Sequence, residues 1–268
     1  MSGDTQDEAV GGPCFPQYRG KQGEPALVEP AAYIDYLNER GLGPGEPPPE
    51  RAVLCYEPSL IAQLRDVCQF EPVQGVLGAY LYRLRDDPAL AVGGGFGIGA
   101  PVAVAILEEL VALGCRRFVS IGTAGSLQPG LAVGQLVVCE RAVRDEGTSH
   151  HYVPAGEFAD ASAPLTGRLA EALAAHGRSF VRGASWTIDA FYRETVTEAR
   201  HYQSQGVLTV EMEAAALFAV AAYRGVQAAA VFTVSDSLSG LEWRPEFHHA
   251  EVQDSLEAMF AAAREALA

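Results

Sequence analysis

From Ala52 onwards, the chain alternates between short apolar runs and longer stretches whose apolar residues recur every three or four positions. The short runs AVLCY, RRFVSIG, GQLVVCERAV and FVRGASWTI predict strands, and so does the alternating stretch VQGVLGAYLYRL. The stretches PSLIAQLRDVC, VAVAILEELVALG, LTGRLAEALAAHG and AAALFAVAA predict helices. A final helix has one apolar face, formed by Val252, Leu256, Met259, Phe260, Ala263 and Leu267. Because strands alternate with helices, the pattern predicts a layered α/β fold with a largely parallel sheet.

The first fifty residues follow a different pattern. They are rich in proline and glycine and finish in GLGPGEPPPE, a composition that holds neither helices nor strand ladders. Only a short helix, from Ala31 to Arg40, is predicted among them. We therefore divide the chain into an irregular arm, 1–50, and one globular domain, 51–268.

Charge and cysteine content narrow the class of protein. A formal net charge of −15 argues against a nucleic-acid partner, because phosphate backbones are bound by clustered Lys and Arg. The cysteines Cys14, Cys55, Cys68, Cys115 and Cys139 show no CxxC pair or zinc spacing, so we expect buried thiols in a reducing cytoplasm. No apolar run reaches about 18 residues, and the acidic N-terminus has no apolar signal core. These features predict a soluble cytoplasmic protein with no membrane partner.

A glycine loop, from Gly95 to Ala100, links a predicted strand to a predicted helix. Its sequence GFGIGA fits the pattern of dinucleotide-binding loops, so a nicotinamide-dependent oxidoreductase is one hypothesis. That function also needs an acidic residue about twenty residues further on, at the end of the next strand. No Asp or Glu occurs between Glu109 and Glu140, so half of the fingerprint is missing. The loop can still offer backbone N–H groups to an anion or a polar ligand.

A second glycine stretch, GTAGS at 122–126, is predicted to be a turn that ends the next strand. In an open α/β sheet, ligands bind where the carboxyl ends of neighbouring strands diverge. The two glycine segments therefore predict a ligand site, and the alternative is that they are tight turns with no further role.

Two carboxylates, Glu211 and Glu213, flank Met212 at the predicted start of the helix AAALFAVAA. Acidic residues in a first turn stabilise the helix dipole, which is one explanation for them. The helix has almost no polar face and must be buried, so a carboxylate beside it needs a partner. Two adjacent sugar hydroxyls suit this role, because both can donate to one carboxylate.

A third carboxyl group, that of Asp236, ends a predicted strand of Ala, Val and Phe. One interpretation is an ordinary turn or helix-cap residue. The other is a functional acid, because burial at an apolar strand end would raise its pKa and let it donate a proton. The residues alone leave both interpretations open.

Five segments in this order resemble the nucleoside phosphorylase family, which includes uridine phosphorylase, bacterial hexameric purine nucleoside phosphorylase and methylthioadenosine nucleosidase. They are GFGIGAP, SIGTAGSLQPGLAVGQLVV, AVRDEGTSHHYVP, VEMEAAALFAVAAYRG and FTVSDS, and the resemblance covers roughly Ala52 to Ala268. It implies a three-layer αβα sandwich with a central mixed, largely parallel sheet, a homodimer or homohexamer, and no metal or organic cofactor. The implied chemistry is cleavage of an N-glycosidic bond, with phosphate as co-substrate or water attacking the anomeric carbon of the ribose.

The resemblance places the sugar-binding side in the segment VEMEA. Glu213 and Met212 correspond to the ribose-binding pair, with Glu213 holding the 2′ and 3′ hydroxyls. Glu211 corresponds to a secondary carboxylate of the same pocket.

The resemblance places the base and the phosphate in other segments. Phe191 corresponds to the aromatic residue that stacks on the base, and Asp236 to the acid that protonates a purine leaving group. Thr123 corresponds to the hydroxyl residue that contacts phosphate and sugar, and Gly97 to the loop glycine beside it. The oxocarbenium-like transition state of this chemistry needs groups at the base and at the sugar. The departing base needs a proton, and the ribosyl cation is held by its hydroxyls.

Three departures concern the arginines with which phosphorylases of this family hold phosphate. Ser120 stands just before the GTAGS stretch, where one arginine is expected. In YEPSL, Tyr56 and Leu60 replace the glycine and the arginine of a GDPxR element. A third arginine, lent by a neighbouring subunit, has no clear counterpart, although Arg83 is near. The hydrolases of the family also lack these arginines.

Two further departures concern the base. The Gln and Arg that read uracil in uridine phosphorylases fall near Thr195 and Thr197, which disfavours uridine. The arginine that assists the purine acid is unassigned, and Arg244 and His249 are the polar candidates nearby.

Three hypotheses follow, beside the remote dehydrogenase. The first, which we prefer, is a nucleoside phosphorylase that releases free base and ribose 1-phosphate and holds phosphate with groups other than the usual arginines. The second is a nucleoside hydrolase, suggested by the missing arginines. The third is a non-catalytic nucleoside-binding homologue with the arm 1–50 over its pocket; the joint presence of Glu213, Phe191 and Asp236 argues against it.

Overall fold

A computed structural model describes residues 20–43, 48–73 and 80–268. Cys14, much of the arm and residues 74–79 of the predicted strand VQGVLGAYLYRL lie outside the described residues. The helices are α1 Pro30–Glu39, α2 Pro58–Val67, α3 Ala100–Leu113, α4 Ala163–Ala175, α5 Val196–Ser204, α6 Ala214–Arg224 and α7 Ala250–Leu267. The strands are β1 Arg51–Cys55, β2 Phe70–Pro72, β3 Leu81–Leu84, β4 Asp87–Gly94, β5 Arg117–Ser126, β6 Leu136–Asp145, β7 Phe158–Asp160, β8 Phe180–Ile188, β9 Thr209–Glu211, β10 Gln227–Ser237 and β11 Arg244–Pro245.

These elements follow the hydrophobic pattern closely. The short helix predicted from Ala31 to Arg40 is α1, and the last amphipathic helix is α7. Helix α3 has a proline in its first turn and ends before Gly114, whose φ of 115° is the left-handed conformation typical of a residue just beyond a helix. The predicted α/β class is confirmed.

The described strands form one sheet, and part of that sheet closes on itself. Strands β5, β10, β6, β8 and β9 follow one another around a ring, in which β9 pairs back to β5. Strands β1, β4, β3 and β2 extend the sheet outwards from β5. Strand β7 pairs with β6, and β11 pairs with β10.

The sheet is mixed, as predicted, but it is not largely parallel, because six of the eleven strand pairings among the described residues are antiparallel. Strand β5 is parallel to β1 and β10, but β6 is antiparallel to β10, and β9 to β5. Two register shifts interrupt the ring, between Cys139 and Arg141 in β6 and between Val234 and Asp236 in β10. Such irregularities bend a strand and increase its twist, which allows the sheet to curl and close.

The helices pack on the sheet in two groups. Helix α3 contacts α1 and α6, whereas α7 contacts α2 and α4. One apolar core contains Leu107 and Phe218, and a second contains Leu60 and Met259. A smaller cluster surrounds Trp186. Within the described ranges, none of the helices combines the length and the apolar character needed to cross a bilayer.

Three of the cysteines are structural, as the sequence predicts. Cys55, Cys115 and Cys139 are buried free thiols. Burial raises the pKa of Cys55 and Cys115 to about 12, so neither side chain is a reactive thiolate.

The turn predicted at 122–126 is wrong. Strand β5 runs through this stretch to Ser126. A Cβ atom at Gly125 would lie 2.7 Å from Cδ1 of Leu238 and 3.0 Å from Oδ2 of Asp236. Glycine is needed here because other side chains approach the strand closely, and not because the chain turns.

Candidate functional site

A cavity of about 610 Å³ opens at the carboxyl ends of β5, β9 and β10. Its lining includes Thr123, Phe191, Glu211, Met212, Glu213 and Asp236, all of which the sequence analysis singled out. Gly97 does not line the cavity, but its neighbour Ile98 does. The volume falls within the range of pockets that hold small-molecule ligands.

Glu211 caps helix α6 from outside the helix. It is the last residue of β9, which corrects the predicted helix start. Its Oε2 accepts the backbone N–H groups of Glu213 and Ala214 at 2.8 and 2.7 Å. Its Oε1 accepts the hydroxyl of Thr187 at 2.5 Å. The helix-dipole explanation therefore applies to Glu211, whose oxygens are held mainly by the protein itself.

Glu213 immediately precedes α6 and is tied to the glycine loop. Its Oε1 accepts the N–H of Gly99 at 2.5 Å. Gly99 has a φ of 104°, which glycine adopts without strain, so the loop can direct this amide at the carboxyl group. The N–H of Gly99, which was expected to face a ligand anion or a dinucleotide, thus donates to a carboxyl group of the protein instead.

The two glutamates differ in how the protein stabilises their charge. Burial, followed by the charge of Glu211, raises the pKa of Glu213 from 4.5 to about 8. Burial also raises the pKa of Glu211, but two backbone N–H groups and the Thr187 hydroxyl stabilise its ionised form. Near neutral pH the proton therefore stays on Glu213, and its hydrogen bonds make Glu211 the glutamate of the two that is better able to hold a negative charge. A protonated Glu213 can both donate to and accept from ligand hydroxyls.

Asp236 reaches the cavity through the irregularity in β10. Consecutive side chains of a regular strand point to opposite faces, yet Ser235 and Asp236 both line the cavity, next to the register shift. Oδ1 of Asp236 accepts the Ser235 hydroxyl at 2.8 Å, and Oδ2 accepts the indole N–H of Trp243 at 2.9 Å. Burial raises the pKa of Asp236, while both hydrogen bonds lower it. The net shift upwards suits a group that holds a proton for a leaving group.

A second acid, Glu194, lies near Asp236. Burial, followed by the charges of Asp236 and Glu198, raises the pKa of Glu194 to about 7. Glu194 lines the cavity and was not identified from the sequence.

Aromatic rings form much of the cavity rim. The centroid of Phe191 lies 3.9 Å from that of Tyr192, and the centroids of Trp243 and Phe247 are 6.3 Å apart. Phe191 is 42% exposed, so part of its ring remains available to a planar ligand.

Neutral residues occupy two of the positions where phosphate-binding arginines were expected. Leu60 is fully buried, and the hydroxyl of Ser120 lies 3.5 Å from that of Tyr56. Oγ1 of Thr123 donates to Oε1 of Glu57 at 2.8 Å. Among the residues that the structure describes, no Lys or Arg lines the cavity; Arg83 lies in β3 and is not part of the lining.

The other polar candidates have structural partners. Thr195 caps helix α5 in a reciprocal arrangement with Glu198. Arg244 is exposed on β11, and His249 contacts Glu246 at 3.3 Å. In the described part of the chain, no three His, Cys, Asp or Glu side chains are grouped so that they could hold a metal ion.

Glu57, Glu194 and Trp243 were not identified from the sequence; Glu57 lies within YEPSL, which was compared only for its missing glycine and arginine, and the other two lie outside the motifs. A signal for Trp243 was present, since an aromatic residue follows the candidate acid Asp236 after seven positions. A tryptophan in a polar loop close to a candidate acid is a feature that sequence reasoning could have noted.

One known protein family matches most of this chain. The model of the phosphorylase superfamily matches residues 44–268. A guanosine phosphorylase of Halorubrum lacusprofundi is 36% identical over 146 residues, which is 53% of this chain and 59% of that protein. A uridine phosphorylase of Thermococcus kodakarensis is 34% identical over 154 residues, or 52% of this chain and 54% of that protein.

A purine nucleoside phosphorylase of the DeoD type from Bacillus cytotoxicus is 29% identical over 202 residues, or 75% of this chain and 85% of that protein. The match thus spans little more than half the length of the first two relatives. The family model covers most of this chain, which therefore belongs to the phosphorylase superfamily.

Proposed function

We propose that this chain is an enzyme that cleaves the N-glycosidic bond of a nucleoside. The observation that supports this function best is the single cavity lined by Glu213, Phe191 and Asp236 together. Glu213 can bind the sugar hydroxyls, Phe191 can stack on the base, and Asp236 can protonate the leaving group. A role in nucleoside binding alone has less support, because binding needs no buried acid that retains a proton.

In the proposed reaction, the 2′ and 3′ hydroxyls of the ribose hydrogen-bond to Glu213 while the base stacks on Phe191. Asp236 transfers its proton to a nitrogen of the base as the C1′–N bond breaks, and the base keeps the electron pair of that bond. An oxygen of the acceptor forms the new bond to C1′. The negative charge of Glu211, next to Glu213, stabilises the cationic ribosyl group in the transition state.

We propose phosphate as the acceptor, with free base and ribose 1-phosphate as products and no metal or organic cofactor. The names of the three relatives, all phosphorylases, support this choice. Phosphate would contact Thr123 and backbone N–H groups of the glycine loop, with no bidentate arginine to hold it. We therefore expect a high KM for phosphate.

A second candidate acceptor is water, and one contact favours it. Thr123, proposed to touch the acceptor, donates to the carboxylate of Glu57. A carboxylate there repels a phosphate dianion but can accept a proton from a water molecule as that molecule attacks C1′. The products would then be free base and ribose.

The products decide between the two acceptors. The protein is incubated with a panel of purine and pyrimidine nucleosides, with and without phosphate, and the sugar product is identified. Ribose 1-phosphate formed only with phosphate supports phosphorolysis, and free ribose formed without phosphate supports hydrolysis. Nucleoside binding with no release of base from any nucleoside contradicts the enzymatic function.

The variant Glu57→Gln separates the two acceptors independently. In a phosphorylase, loss of the negative charge lowers the KM for phosphate several-fold. In a hydrolase, loss of the proton acceptor lowers kcat by about 100-fold or more. Glu71→Gln is the matched control, because Glu71 lies in β2, pairs with Arg85 and is not part of the cavity lining.

We also propose the finer architecture that the family resemblance implies. The two groups of helices support a three-layer αβα arrangement, and the family match from residue 44 supports a domain boundary near residue 50. We propose a homodimer or homohexamer, which sedimentation analysis measures directly.

A further inference from the structure

The hydrogen bond between Trp243 and Asp236 joins two segments at the cavity. The indole N–H donates to Oδ2 of Asp236 at 2.9 Å. Trp243 lines the cavity but is 62% exposed, so its position is not explained by burial in the core. Its contact with the acid therefore needs another explanation.

The loop that carries Trp243 is fixed on both sides of the tryptophan. Before it, the chain turns at Leu241, whose φ of 60° is uncommon for a residue other than glycine. After it, β11 pairs with the end of β10, and the N–H of Glu246 donates to the carbonyl of Ser235 at 3.0 Å. The backbone thus holds the indole beside the acid.

We propose that Trp243 is a positioning residue for Asp236: its neutral N–H holds one carboxyl oxygen and thereby fixes the oxygen that carries the transferable proton. The proposal rests on the function proposed above for Asp236. An indole N–H can only donate, so Oδ2 is the accepting oxygen. The Ser235 hydroxyl donates to Oδ1 of the ionised carboxylate, but a hydroxyl can also accept, so it can turn to accept when Asp236 is protonated, and the proton belongs on Oδ1. From Oδ1 it passes to a nitrogen of the departing base, which keeps the electron pair of the C1′–N bond.

A neutral donor suits an acid that must stay protonated until the base leaves. A cation at hydrogen-bond distance lowers the pKa of a carboxyl group by about 1–3 units and so favours the ionised form. Arg244 and His249, the two cationic candidates from the sequence, lie outside the cavity lining. Trp243 supplies the hydrogen bond without a positive charge.

The groups that face Asp236 from the other elements have the same effect on its charge. The charge of an ionised Asp236 raises the pKa of Glu194, and Glu57, Glu211 and Glu213 line the same cavity. All of them are acids, and any that is ionised disfavours the ionised form of Asp236.

The test compares Trp243→Phe with Arg244→Gln, the adjacent exposed residue of the same loop. The substrates are the purine nucleoside that the wild-type enzyme cleaves fastest and 7-methylguanosine, whose base is already cationic and leaves without a proton. For Trp243→Phe we expect kcat on the ordinary nucleoside to fall about tenfold, with KM within about threefold. On 7-methylguanosine its rate should stay within about threefold of the wild-type rate. Arg244→Gln should match the wild type on both substrates.

The pH profile gives a second readout that a merely structural role would not change. Activity is lost as pH rises through the pKa of Asp236, because the acid must be protonated. The Trp243 hydrogen bond lowers that pKa, so its loss moves the alkaline limb of the profile to higher pH. Equal losses on both substrates, or a fall in kcat with an unmoved alkaline limb, would overturn the proposal.

A spectroscopic measurement separates this proposal from the proposed function. The chain has two tryptophans, so its NMR spectrum has two indole N–H signals, and Trp243→Phe identifies one of them. Asp236→Asn should shift the Trp243 signal and leave that of Trp186, which donates to Asp145, in place. An unshifted Trp243 signal contradicts the positioning contact. A shifted signal in a protein that cleaves no nucleoside contradicts the proposed function and leaves the contact intact.

Discussion

At the scale of single residues, the structure explains why two glutamates separated by one position have different roles. Glu211 ends a strand and accepts the N–H groups at the start of α6, which stabilises its negative charge. Glu213 faces the cavity beside that charge and holds its proton to about pH 8. An unfolded chain releases the same proton near pH 4.5, so Glu213 makes the folded state less stable as pH rises.

The first prediction concerns this loss of stability. The free energy of unfolding of the wild type should fall between about pH 4.5 and about pH 8, because only the unfolded state releases the proton of Glu213 in this range. In Glu213→Gln this contribution is absent. We expect the variant to be more stable than the wild type at pH 8, by on the order of 2 kcal/mol, and the difference to shrink towards pH 5.

Urea unfolding at both pH values measures this difference, and the same variant should have lost its ability to bind nucleoside. Glu211→Gln is the comparison, since it removes the charge that caps α6 and should destabilise the protein at both pH values. A Glu213→Gln variant that is less stable than the wild type at pH 8 would contradict the assignment of the proton.

The second prediction concerns Asp236. Asp236→Asn keeps an oxygen that can accept the Trp243 N–H but removes the transferable proton. We expect kcat for purine nucleosides to fall about 100-fold, while nucleoside affinity measured by calorimetry changes little. Asp145→Asn is the matched control: Asp145 also accepts a tryptophan N–H, and burial also raises its pKa, but it is not part of the cavity lining. Equal losses of rate and affinity in Asp236→Asn would exclude a role as the acid.

Sequence reasoning found the site residues that belong to short contiguous motifs. Glu213 and Asp236 could be identified because a carboxyl group beside an apolar helix or strand is unusual in itself. Glu57 and Glu194 could not, because nothing local marks them and only the folded chain brings them to the cavity. The different hydrogen bonds of Glu211 and Glu213 also depend on where β9 ends, which a sequence pattern cannot resolve to one residue.

At the scale of elements, strand β5 provides one wall of the site. Its glycine at 125 leaves room for side chains from neighbouring segments, including Asp236. The register shift in β10 then directs Ser235 and Asp236 to the same cavity. Gly125 and the register shift both lie within strands, whereas the sequence predicted a turn at 122–126 and a strand end at Asp236.

The third prediction tests this packing. Gly125→Ala should lower the free energy of unfolding by about 1–3 kcal/mol, because its Cβ would lie 2.7 Å from Leu238 and 3.0 Å from Asp236. The displaced carboxyl group should also reduce kcat. Gly130→Ala is the control, since a Cβ there meets no atom within 4 Å. Chemical denaturation and the nucleoside assay measure both effects; a fully active, equally stable Gly125→Ala variant would contradict the proposed reason for the glycine.

At the scale of elements, the apolar pattern predicts the helices and strands but not how the strands pair. Helix and strand positions followed from the apolar period, and the ends of α3 from its proline and glycine. The direction and closure of the sheet did not, because they depend on long-range pairings such as β9 with β5. The register shifts that permit closure cannot be recognised from the periodic pattern of apolar residues.

At the scale of the whole molecule, the acidic composition of the chain continues into the cavity. The net charge is −15, and the cavity is lined by Glu57, Glu194, Glu211, Glu213 and Asp236. No Lys or Arg among the described lining residues offsets them. Such a site fits neutral nucleosides and binds anionic ligands weakly, which agrees with the high KM expected for phosphate.

The fourth prediction follows from this charge distribution. Nucleoside 5′-monophosphates should be cleaved with a kcat/KM at least about 100-fold lower than that of the parent nucleosides, because the phosphate dianion is repelled and finds no cationic partner. Salt at about 0.5 M or more shortens the Debye length to a few ångströms and screens the repulsion. It should therefore reduce the difference in kcat/KM between nucleoside and monophosphate. Comparable rates for a nucleoside and its monophosphate would contradict the description of the cavity.

The most direct test is a crystal structure of Asp236→Asn soaked with the nucleoside that the wild-type enzyme cleaves fastest. The account predicts the ribose hydroxyls at Glu213, the base against Phe191 and a base nitrogen at residue 236, all within one cavity. A nucleoside bound elsewhere, or one that reaches only one of the two carboxyl positions, would contradict it.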